Sequence, residues 1–505
     1  MPSAASVERT PRAIFLFWLP LALQWIMMAL EGPFLAAVIA RLADPTFNLA
    51  AYGVAFAFAI LVESPVIMLM SASTALVEDA ASYRKLRAFA TGLNVLSSAL
   101  LVALLFPPVF DLVLRSGLGL PTPVADLVYG SLWILLPWPA AIGYRRFLHG
   151  ILIRSGLTRR VMYGTLIRLG GMAGTGLLLA GTGLPGAWVG AGALSTGVVL
   201  EAIAARYMSR GVIRRLLEAE TTALGDATPA AEATSRTGAA LAPQADVPDR
   251  PVVAHDPALL REAGAATGSV RALAEAGREP DPLFRPGPAP DVETGSELGF
   301  GDIARFYYPL ALTSFIGLTT QPILTFFMGR APAPVESLAL FPVVIALYFI
   351  FGTLGLSYQE AAIALVGRKG EYRKELGRFA TGLAMAASGG LGLIAFTPMA
   401  RVWFEGVSGL EPAMAAMAFA PAQIIALAPA LSVIMGYQRS LLVQARRTRP
   451  ITLATAIEVT SIALLFPFFG WGLGLMGVTA AMAALVCGRT LGVIFLTWRV
   501  RRLVM

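Results

Sequence analysis

A long apolar stretch interrupted by a proline occurs twice in this 505-residue chain, at 14–41 and at 306–330. Both stretches contain the string PLAL, and a proline follows deep within each, Pro33 in the first and Pro322 in the second, at a constant shift of 289 positions. Each stretch is long enough to cross a bilayer. A broken helix in lipid is tolerated only where protein or a water-filled cavity satisfies the backbone. The sequence therefore predicts two equivalent helices that face a shared polar pathway.

Apolar runs of this length recur along most of the chain, in which 56% of the residues are hydrophobic. We predict an all-α integral membrane protein with twelve transmembrane helices, because runs of about 20 apolar residues span a bilayer. The six predicted spans of the first half are 14–41, 50–77, 87–114, 124–153, 160–181 and 186–209. Those of the second half are 304–330, 336–366, 376–403, 412–444, 451–469 and 472–498.

The two halves match beyond their first helices, which indicates an internal duplication. The strings YRK and FATGL at 83–93 recur at 372–383, and GYRR at 143–146 recurs as GYQR at 436–439. A repeat of this kind predicts two six-helix lobes in a parallel, MATE-like arrangement. The predicted divisions are an N-terminal tail at 1–13, an N-lobe at 14–215, a linker at 216–300 and a C-lobe at 301–502.

The distribution of Lys and Arg predicts the orientation. Twelve basic residues in each half flank one side of the predicted spans, whereas the turns on the other side hold one arginine or none. Cytoplasmic loops carry the excess of Lys and Arg. We therefore predict a multi-pass protein of a bacterial-type inner membrane, with both termini and the linker in the cytoplasm.

The linker at 216–300 has a different composition from the rest of the chain. It holds 14 Asp or Glu against 6 Arg, is rich in Ala, Pro and Gly, and is poor in aromatic residues. Such a composition does not bury enough apolar surface to order itself, so we predict a disordered linker. The alternative is an acidic segment that binds the basic cytoplasmic face.

Signatures of soluble enzymes are absent from the sequence. It contains no Walker A lysine motif, and Cys487 is its only cysteine, so no paired-cysteine metal site is possible. The two histidines, His149 and His255, form no cluster in the sequence. We expect no enzymatic activity, no cofactor, no metal and no nucleic-acid partner, and we expect a monomer.

Four charged residues within the spans form two candidate ion pairs. Arg168 lies nine positions from Arg159, and Glu201 lies nine positions before Arg210, so both should lie at similar depth on adjacent helices. The second half repeats the arrangement with the signs exchanged, at Glu458 and Arg489. Charges inside a bilayer are costly, so we predict the structural ion pairs Arg168–Glu201 and Glu458–Arg489.

Three further acids, Glu31, Glu63 and Glu360, have no obvious basic partner in the sequence. Glu31 lies about 15 Å and Glu63 about 20 Å from the outer ends of neighbouring helices, at 1.5 Å per residue. Two acids at similar depth can share a proton, and unpaired intramembrane acids are usually functional. We predict that they form a substrate or coupling-ion site for H⁺ or Na⁺, together with Gln321 and Gln359. The alternative is a carboxyl bonded to backbone carbonyls freed at a proline.

Two further groups of candidates follow from the proline positions. We predict helix breaks at five prolines: Pro33, Pro65, Pro137, Pro322 and Pro429. Basic and tyrosine residues follow two of these breaks and predict an inner vestibule that attracts anions. These residues are Tyr144, Arg145, Arg146, Tyr437 and Arg439. The alternative is ordinary anchoring of arginines at the cytoplasmic surface.

Several strings resemble the progressive ankylosis (ANK) protein family within the MATE-like MOP transporter superfamily, as a bacterial-type homologue. They are FWLPLAL at 17–23, AYG at 51–53 with Ala55 and Pro65, HGILIR at 149–154, PLAL at 309–312, QPILTFFMGR at 321–330, RRT at 446–448 and LGLMG at 473–477. The resemblance implies efflux of organic or phosphorylated anions, such as citrate, nucleotide or pyrophosphate, through a cavity between the lobes.

We therefore expect a secondary transporter of small anions that works by alternating access. The mid-membrane acids favour a different substrate, and a MATE-type proton- or sodium-coupled cation or drug antiporter is the first alternative. A lipid flippase is the second alternative. A membrane scaffold that transports nothing is the third.

Overall fold

The computed structural model describes residues 11–155, 157–236, 299–365, 372–445, 447 and 449–504. Eleven helices or helix pairs in these ranges are long and apolar enough to cross a membrane. A twelfth helix, Thr158–Ala180, lies between two of them, and Arg168 with several glycines makes it less apolar. The predicted all-α fold with twelve membrane helices in two lobes is confirmed.

The helices of the N-lobe are α1 (Pro11–Ala29), α2 (Glu31–Ala40), α3 (Pro45–Glu63), α4 (Leu69–Leu76), α5 (Ala80–Leu105), α6 (Pro107–Phe110), α7 (Thr122–Ile134), α8 (Trp138–Arg154), α9 (Thr158–Ala180) and α10 (Gly186–Arg236). A short π-helix, Asp111–Gly117, follows α6. We call the face that holds the start of α1 the inner face and the opposite face the outer face.

The helices of the C-lobe are α11 (Phe300–Leu318), α12 (Thr320–Met328), α13 (Pro334–Leu365), α14 (Arg373–Phe396), α15 (Met399–Arg401), α16 (Pro412–Ile425), α17 (Ala428–Gln444), α18 (Arg449–Pro467) and α19 (Gly477–Val504). Two π-helices, Val402–Val407 and Phe468–Gly472, complete this lobe.

Proline positions explain where the equivalent first helices break. A proline ring clashes with the carbonyl four residues earlier. Helix α1 ends at Ala29, four residues before Pro33, and α11 ends at Leu318, four residues before Pro322. In both lobes the following helix begins at once, so the chain changes direction but still crosses the membrane.

The other three predicted prolines also lie at breaks. Pro65 lies in the turn between α3 and α4, Pro137 directly precedes α8, and Pro429 is the second residue of α17. The C-lobe has no break like that at Pro65, because Leu354 occupies the equivalent position and α13 continues to Leu365. The second helices of the two lobes therefore differ in rigidity.

Helices α3 and α13 are equivalent in the repeat and pack against each other between the lobes. Gly53 of α3 faces Pro342 of α13, which is its own counterpart 289 positions later. A Cβ at Gly53 would lie 3.3 Å from the Pro342 ring, so a larger residue would push the lobes apart. The lobes meet at a pseudo-symmetric contact.

The predicted linker begins as a helix. Helix α10 continues to Arg236 and so includes the first residues of the predicted linker. The segment LLEAETTALGDA is rich in Ala, Leu and Glu, which favour helix over coil. The rest of the linker, 237–298, lies outside the described residues.

Candidate functional site

Glu201 of α10 is the centre of a polar cluster inside the N-lobe. Its side chain is 0% exposed, and its Oε2 accepts a hydrogen bond from Nη1 of Arg145 at 2.7 Å. Nε of Arg168 lies 3.4 Å from the same oxygen. Both arginines thus contact the same buried carboxyl group, and buried charges are tolerated where they are paired and hydrogen-bonded.

The predicted contact between Arg168 and Glu201 is present, but Arg168 has a second partner. Its Nη2 donates a short hydrogen bond to Oε1 of Glu31. The expectation that Glu31 lacks a basic partner is therefore wrong. Glu31 is the first residue of α2, and the break before it brings its side chain to α9.

Glu63, the other predicted coupling acid, is 5% exposed at the end of α3. Its Oε2 has no hydrogen-bond partner among the described residues. Its strongest electrostatic interaction is with Arg146, followed by Arg145. Nε2 of His149, which is also buried, lies 4.0 Å from Oε1 of Glu201. We call six ionisable side chains of this region the N-lobe cluster: Glu31, Glu63, Arg145, Arg146, Arg168 and Glu201.

The C-lobe places a second polar cluster between α13, α17, α18 and α19. The predicted contact of Arg489 with Glu458 is present, with Nε 2.9 Å from Oε1. Nη1 of Arg489 donates to the hydroxyl of Tyr348 and, at 3.0 Å, to Oγ of Ser432. Arg439 donates from Nη2 to Oγ1 of Thr455 at 3.2 Å. The C-lobe cluster comprises Tyr348, Ser432, Arg439, Thr455, Glu458 and Arg489.

Arg145 does not line an inner vestibule, so that prediction is wrong for this residue. It is 7% exposed and lies nine positions before the end of α8 at Arg154, about 14 Å from the inner end at 1.5 Å per residue. The helix that follows the Pro137 break thus carries Arg145 to the depth of Glu201.

The other predicted vestibule residues lie at different depths. Tyr437 donates from its hydroxyl to the carbonyl of Arg373 at 2.8 Å, at the start of α14. Tyr144 is half-buried and packs against the main apolar core. Arg146 and Arg439 are half-buried within the two clusters. The structure therefore divides the predicted vestibule between the lobes.

The remaining predicted site residues are dispersed. Oε2 of Glu360 accepts a hydrogen bond from Nε1 of Trp25 at 3.3 Å, and this contact joins the two lobes. Gln359 lies against Gly436 of α17. Gln321 is half-buried, and its backbone carbonyl accepts from Oγ1 of Thr325. None of these hydrogen bonds joins the two polar clusters.

Pro322 lies in an apolar setting. A cavity of about 440 Å³ between the lobes is lined by α3, α12, α18 and the Asp111–Gly117 π-helix. Pro322, Phe326 and Phe58 form part of its wall. The side chains that line this cavity are apolar, whereas the sequence predicted a polar pathway beside this proline.

Two pseudo-symmetric hydrogen bonds join the lobes nearer the inner face. Nε1 of Trp18 in α1 donates to Oγ of Ser357 in α13 at 2.9 Å. The hydroxyl of Tyr307 in α11 donates to the carbonyl of Pro65, which is free because α3 has ended. Trp18 and Tyr307 are equivalent positions, 289 apart.

A second pair of pseudo-symmetric contacts joins the lobes at the outer face. Nη2 of Arg41 donates to the carbonyls of Gly406 at 2.6 Å and Val407 at 3.0 Å in the opposite lobe. Nη2 of Arg330, its counterpart, donates to the carbonyl of Ser116 at 3.1 Å. We call these the outer arginine contacts.

Sequence reasoning missed the outer arginine contacts, although one signal for them was present. Arg41 and Arg330 occupy equivalent positions, at the ends of the duplicated first stretch. Their acceptors are backbone carbonyls of π-helical segments, which leave no mark in the side-chain sequence. Tyr348, Ser432 and Thr455 were missed because single hydroxyls inside apolar spans are common.

The two clusters can bind and orient charged ligands. No group of three or more His, Cys, Asp or Glu suitable for a metal ion occurs in the described part of the chain. Arginines supply planar sets of N–H donors that match carboxylate and phosphate oxygens. Carboxylates such as Glu63 supply acceptors for a proton or a small cation.

No protein-family model matches the sequence, and no curated protein sequence matches it. Solved structures do match. An inward-facing multidrug resistance MATE family transporter of the MOP superfamily aligns with a TM-score of 0.64 at 13% identity, covering 97% of this chain and 98% of that one. The lipid II flippase MurJ, in an inward closed conformation, aligns at 0.62 and 12% identity, covering 96% of this chain and 87% of that one.

This chain has the MATE-like fold. A MOP superfamily transporter from Pyrococcus furiosus, reported to have a binding pocket of reversed polarity, also aligns, with a TM-score of 0.56 at 14% identity over 98% of this chain and 97% of that one. In the MATE-like fold of this chain, the N-lobe cluster and the C-lobe cluster lie one in each lobe. The narrower ANK resemblance is not among these matches.

Proposed function

We propose that the protein is a secondary transporter that moves small organic or phosphorylated anions across the membrane by alternating access, with both termini in the cytoplasm. The observation that carries this proposal is the pair of clusters of arginine and glutamate side chains, one within each lobe. Charged groups at membrane depth are costly and are retained mainly where they bind or move charged species. A scaffold would need neither cluster.

The balance of buried charge supports an anionic substrate. The two clusters together contain five arginines and four glutamates. The ANK-like strings point to the same class of substrate, in particular citrate, nucleotide or pyrophosphate. A transporter with this fold and a pocket of reversed polarity indicates that the fold does not fix the sign of the substrate.

The contacts between the lobes support alternating access. The outer arginine contacts tie the outer ends of the lobes through hydrogen bonds, which can break as the lobes rotate. The chain aligns with a TM-score of 0.64 to an inward-facing MATE transporter and of 0.55 to an outward-facing one. We infer that the structure corresponds to the state in which the outer face is closed.

Counter-flow in proteoliposomes tests the proposed substrate class. Vesicles loaded with unlabelled citrate, pyrophosphate or nucleotide should accumulate the same labelled anion from outside, and protein-free vesicles should not. A cationic dye serves as the competing substrate. Uptake of the dye with no exchange of any of these anions contradicts the proposal.

The first alternative, a proton- or sodium-coupled cation antiporter, is favoured by one observation. Glu63 is buried with an oxygen that has no protein partner among the described residues, which is a position suited to a proton or a small cation. Under this alternative, Glu63→Gln abolishes the dependence of transport on the H⁺ or Na⁺ gradient. Gradient-dependent transport by Glu63→Gln at the wild-type level removes Glu63 from the mechanism.

The second alternative, a lipid flippase, is favoured by the apolar cavity between the lobes and by the alignment with MurJ. A fluorescent phospholipid in the inner leaflet of a vesicle reports on flipping when dithionite is added outside. Loss of more than the outer-leaflet fluorescence with the protein, beyond that of empty vesicles, favours this alternative over anion transport.

A further inference from the structure

We propose that the C-lobe cluster is an anion-binding subsite that takes the carboxylate or phosphate oxygens of a small di- or polyanion. This inference rests on the proposed anion transport and names the part of the protein that recognises the charge. Arg439 and Arg489 supply the donors. Glu458, Tyr348 and Ser432 hold Arg489 in place.

The charge of the C-lobe cluster is unbalanced. Arg489 bonds Glu458 through Nε, and Arg439 bonds Thr455, which lies three residues before Glu458 on α18. The other acids of these helices, Glu336 and Glu360, both lie twelve residues from Tyr348 on α13, and Glu360 is bonded by Trp25 of the other lobe. Two cations with one anion leave a net positive charge, which an anionic ligand neutralises.

Hydrogen-bond donors remain available on both arginines. Arginine carries five N–H donors. Arg489 directs its Nε and Nη1 at Glu458, Tyr348 and Ser432, which leaves Nη2 without a hydrogen bond to the described residues. Arg439 uses Nη2 on Thr455, and its buried Nε has no partner among the described residues. The unused donors therefore belong to two neighbouring guanidinium groups.

The hydroxyls of the C-lobe cluster fix the orientation of Arg489. Ser432 donates to the carbonyl of Ala428 at 3.0 Å, so its oxygen is left to accept. The hydroxyl oxygens of Tyr348 and Ser432 lie 3.0 Å apart, and both accept a hydrogen bond from Nη1 of Arg489. A guanidinium held at Nε and Nη1 in this way presents Nη2 with little loss of conformational entropy on binding.

Exposure distinguishes the C-lobe cluster from its N-lobe equivalent. The side chain of Arg489 is 21% exposed, whereas those of Arg145 and Arg168 are 8% and 7% exposed, and that of Glu201 is 0% exposed. Arg145 and Arg168 are occupied by the carboxylates of Glu201 and Glu31 in their own lobe. An anion from solution reaches Arg489 with less rearrangement.

Calorimetric titration of the full-length protein in detergent with citrate and with pyrophosphate tests the subsite. Arg439→Gln should weaken binding of at least one anion about tenfold or more, because charge-assisted hydrogen bonds are lost. This variant retains the Glu458–Arg489 pair, so it should fold. Arg449→Gln, the same change at an exposed position at the start of α18, is the matched control and should bind as the wild type does.

The sign of the charge effect separates a binding role from a structural one. Glu458→Gln removes the carboxylate that competes for Arg489, so anion affinity should rise severalfold even if the melting temperature falls. A merely structural cluster loses stability in this variant and gains no affinity. Thermal unfolding of each variant in the same detergent confirms that the titrated protein is folded.

The possible outcomes keep this inference distinct from the proposed function. Anion binding by the wild type that is unchanged in Arg439→Gln overturns the subsite and leaves anion transport intact. A wild-type protein that binds neither citrate nor pyrophosphate, and exchanges no anion in vesicles, overturns both. Weaker binding in Arg439→Gln with tighter binding in Glu458→Gln supports the subsite.

Discussion

The N-lobe and C-lobe clusters occupy equivalent places in the repeat, but their charges differ. The N-lobe holds three arginines and three glutamates, and the C-lobe holds two arginines and one glutamate. Two of the N-lobe acids are replaced, Glu31 by Thr320 and Glu63 by Gly352, as is one base, Arg145 by Gln438. The two halves of the repeat thus differ in their acids, which gives the N-lobe cluster a balanced formal charge and the C-lobe cluster one excess positive charge and a more exposed arginine.

The difference in charge predicts that the two clusters have different roles. In a balanced and buried network the charges offset one another within the lobe, so little net charge is left for a ligand. An unbalanced and partly exposed network is left to recognise a ligand. Gln438 illustrates the change, since it is buried and donates from Nε2 to Thr497 at 2.7 Å where the N-lobe has Arg145.

The largest effect is expected from removing the central acid of the N-lobe. Glu201→Gln leaves Arg145 and Arg168 buried with one compensating charge fewer, and breaking a buried pair costs about 3–5 kcal/mol. Glu458→Gln should cost less, because Tyr348 and Ser432 still accept from Arg489. Thermal unfolding of both variants in detergent measures the difference. Equal losses of stability in the two variants contradict the proposed difference between the two clusters.

The stability of charge-reversal variants should also distinguish the two clusters. In the N-lobe, Arg168→Glu with Glu201→Arg sets the new glutamate against Glu31 and the new arginine against Arg145, so the double variant should be no more stable than either single variant. Such a failure reflects shared partners rather than a missing contact. A double variant with wild-type stability shows that Glu31 and Arg145 are not part of the network.

The matching charge reversal in the C-lobe should restore part of the stability that each single variant loses. Glu458→Arg with Arg489→Glu places the new carboxylate beside the hydroxyls of Tyr348 and Ser432, which can donate to it. We expect a coupling energy of about 0.5–3 kcal/mol in favour of the double variant, as for residues of one network. Expression level and melting temperature of the two singles and the double measure it. A coupling energy of zero shows that Glu458 and Arg489 do not form the predicted ion pair.

A smaller effect is expected at the outer arginine contacts. Arg41 donates to two carbonyls of the opposite lobe and Arg330 to one, so Arg41→Gln should open the outer face more than Arg330→Gln. Spin labels at positions 182 and 411, in a Cys487→Ser background, report the distance between the outer ends of the lobes. Equal distance distributions in wild type and both variants contradict a gating role.

Much of the fold was predictable from local rules, because proline acts on the chain around it. The breaks at Pro33 and Pro322 begin four residues upstream of each proline, as sterics require. Depth along a helix also follows from sequence, which is why the contacts of Arg168 with Glu201 and Arg489 with Glu458 were found.

The other contacts of the site could not be predicted from the depth of each residue along its helix. Residue spacing gives the height of a side chain in the membrane but not which neighbouring helix it faces after a break. Glu31 turns to α9 because α2 starts anew at that residue, and Arg145 lies deep because α8 continues to Arg154. Arg41 donates to backbone carbonyls, and no particular residue type in the sequence marks such an acceptor.

The smallest effect is expected at a helix cap, where the lobes also differ. Asp79 caps α5 of the N-lobe, accepting at Oδ1 from the backbone N–H of Ser82 at 2.7 Å. That bond and the hydroxyl of Ser82 hold the pKa of Asp79 below its usual range. The stabilisation is therefore fully present above the ordinary pKa of 3.8 and is lost as pH falls through the lowered value.

Asp79→Ala should lower the free energy of unfolding by about 1 kcal/mol at neutral pH, as for other lost caps. Glu411→Ala is the matched control in the C-lobe, because Glu411 precedes α16 without a side-chain cap hydrogen bond. The difference in melting temperature between wild type and Asp79→Ala should become smaller as the pH falls from 7 to 3. A difference that persists unchanged at pH 3 shows that Asp79 stabilises α5 by packing rather than by its carboxylate.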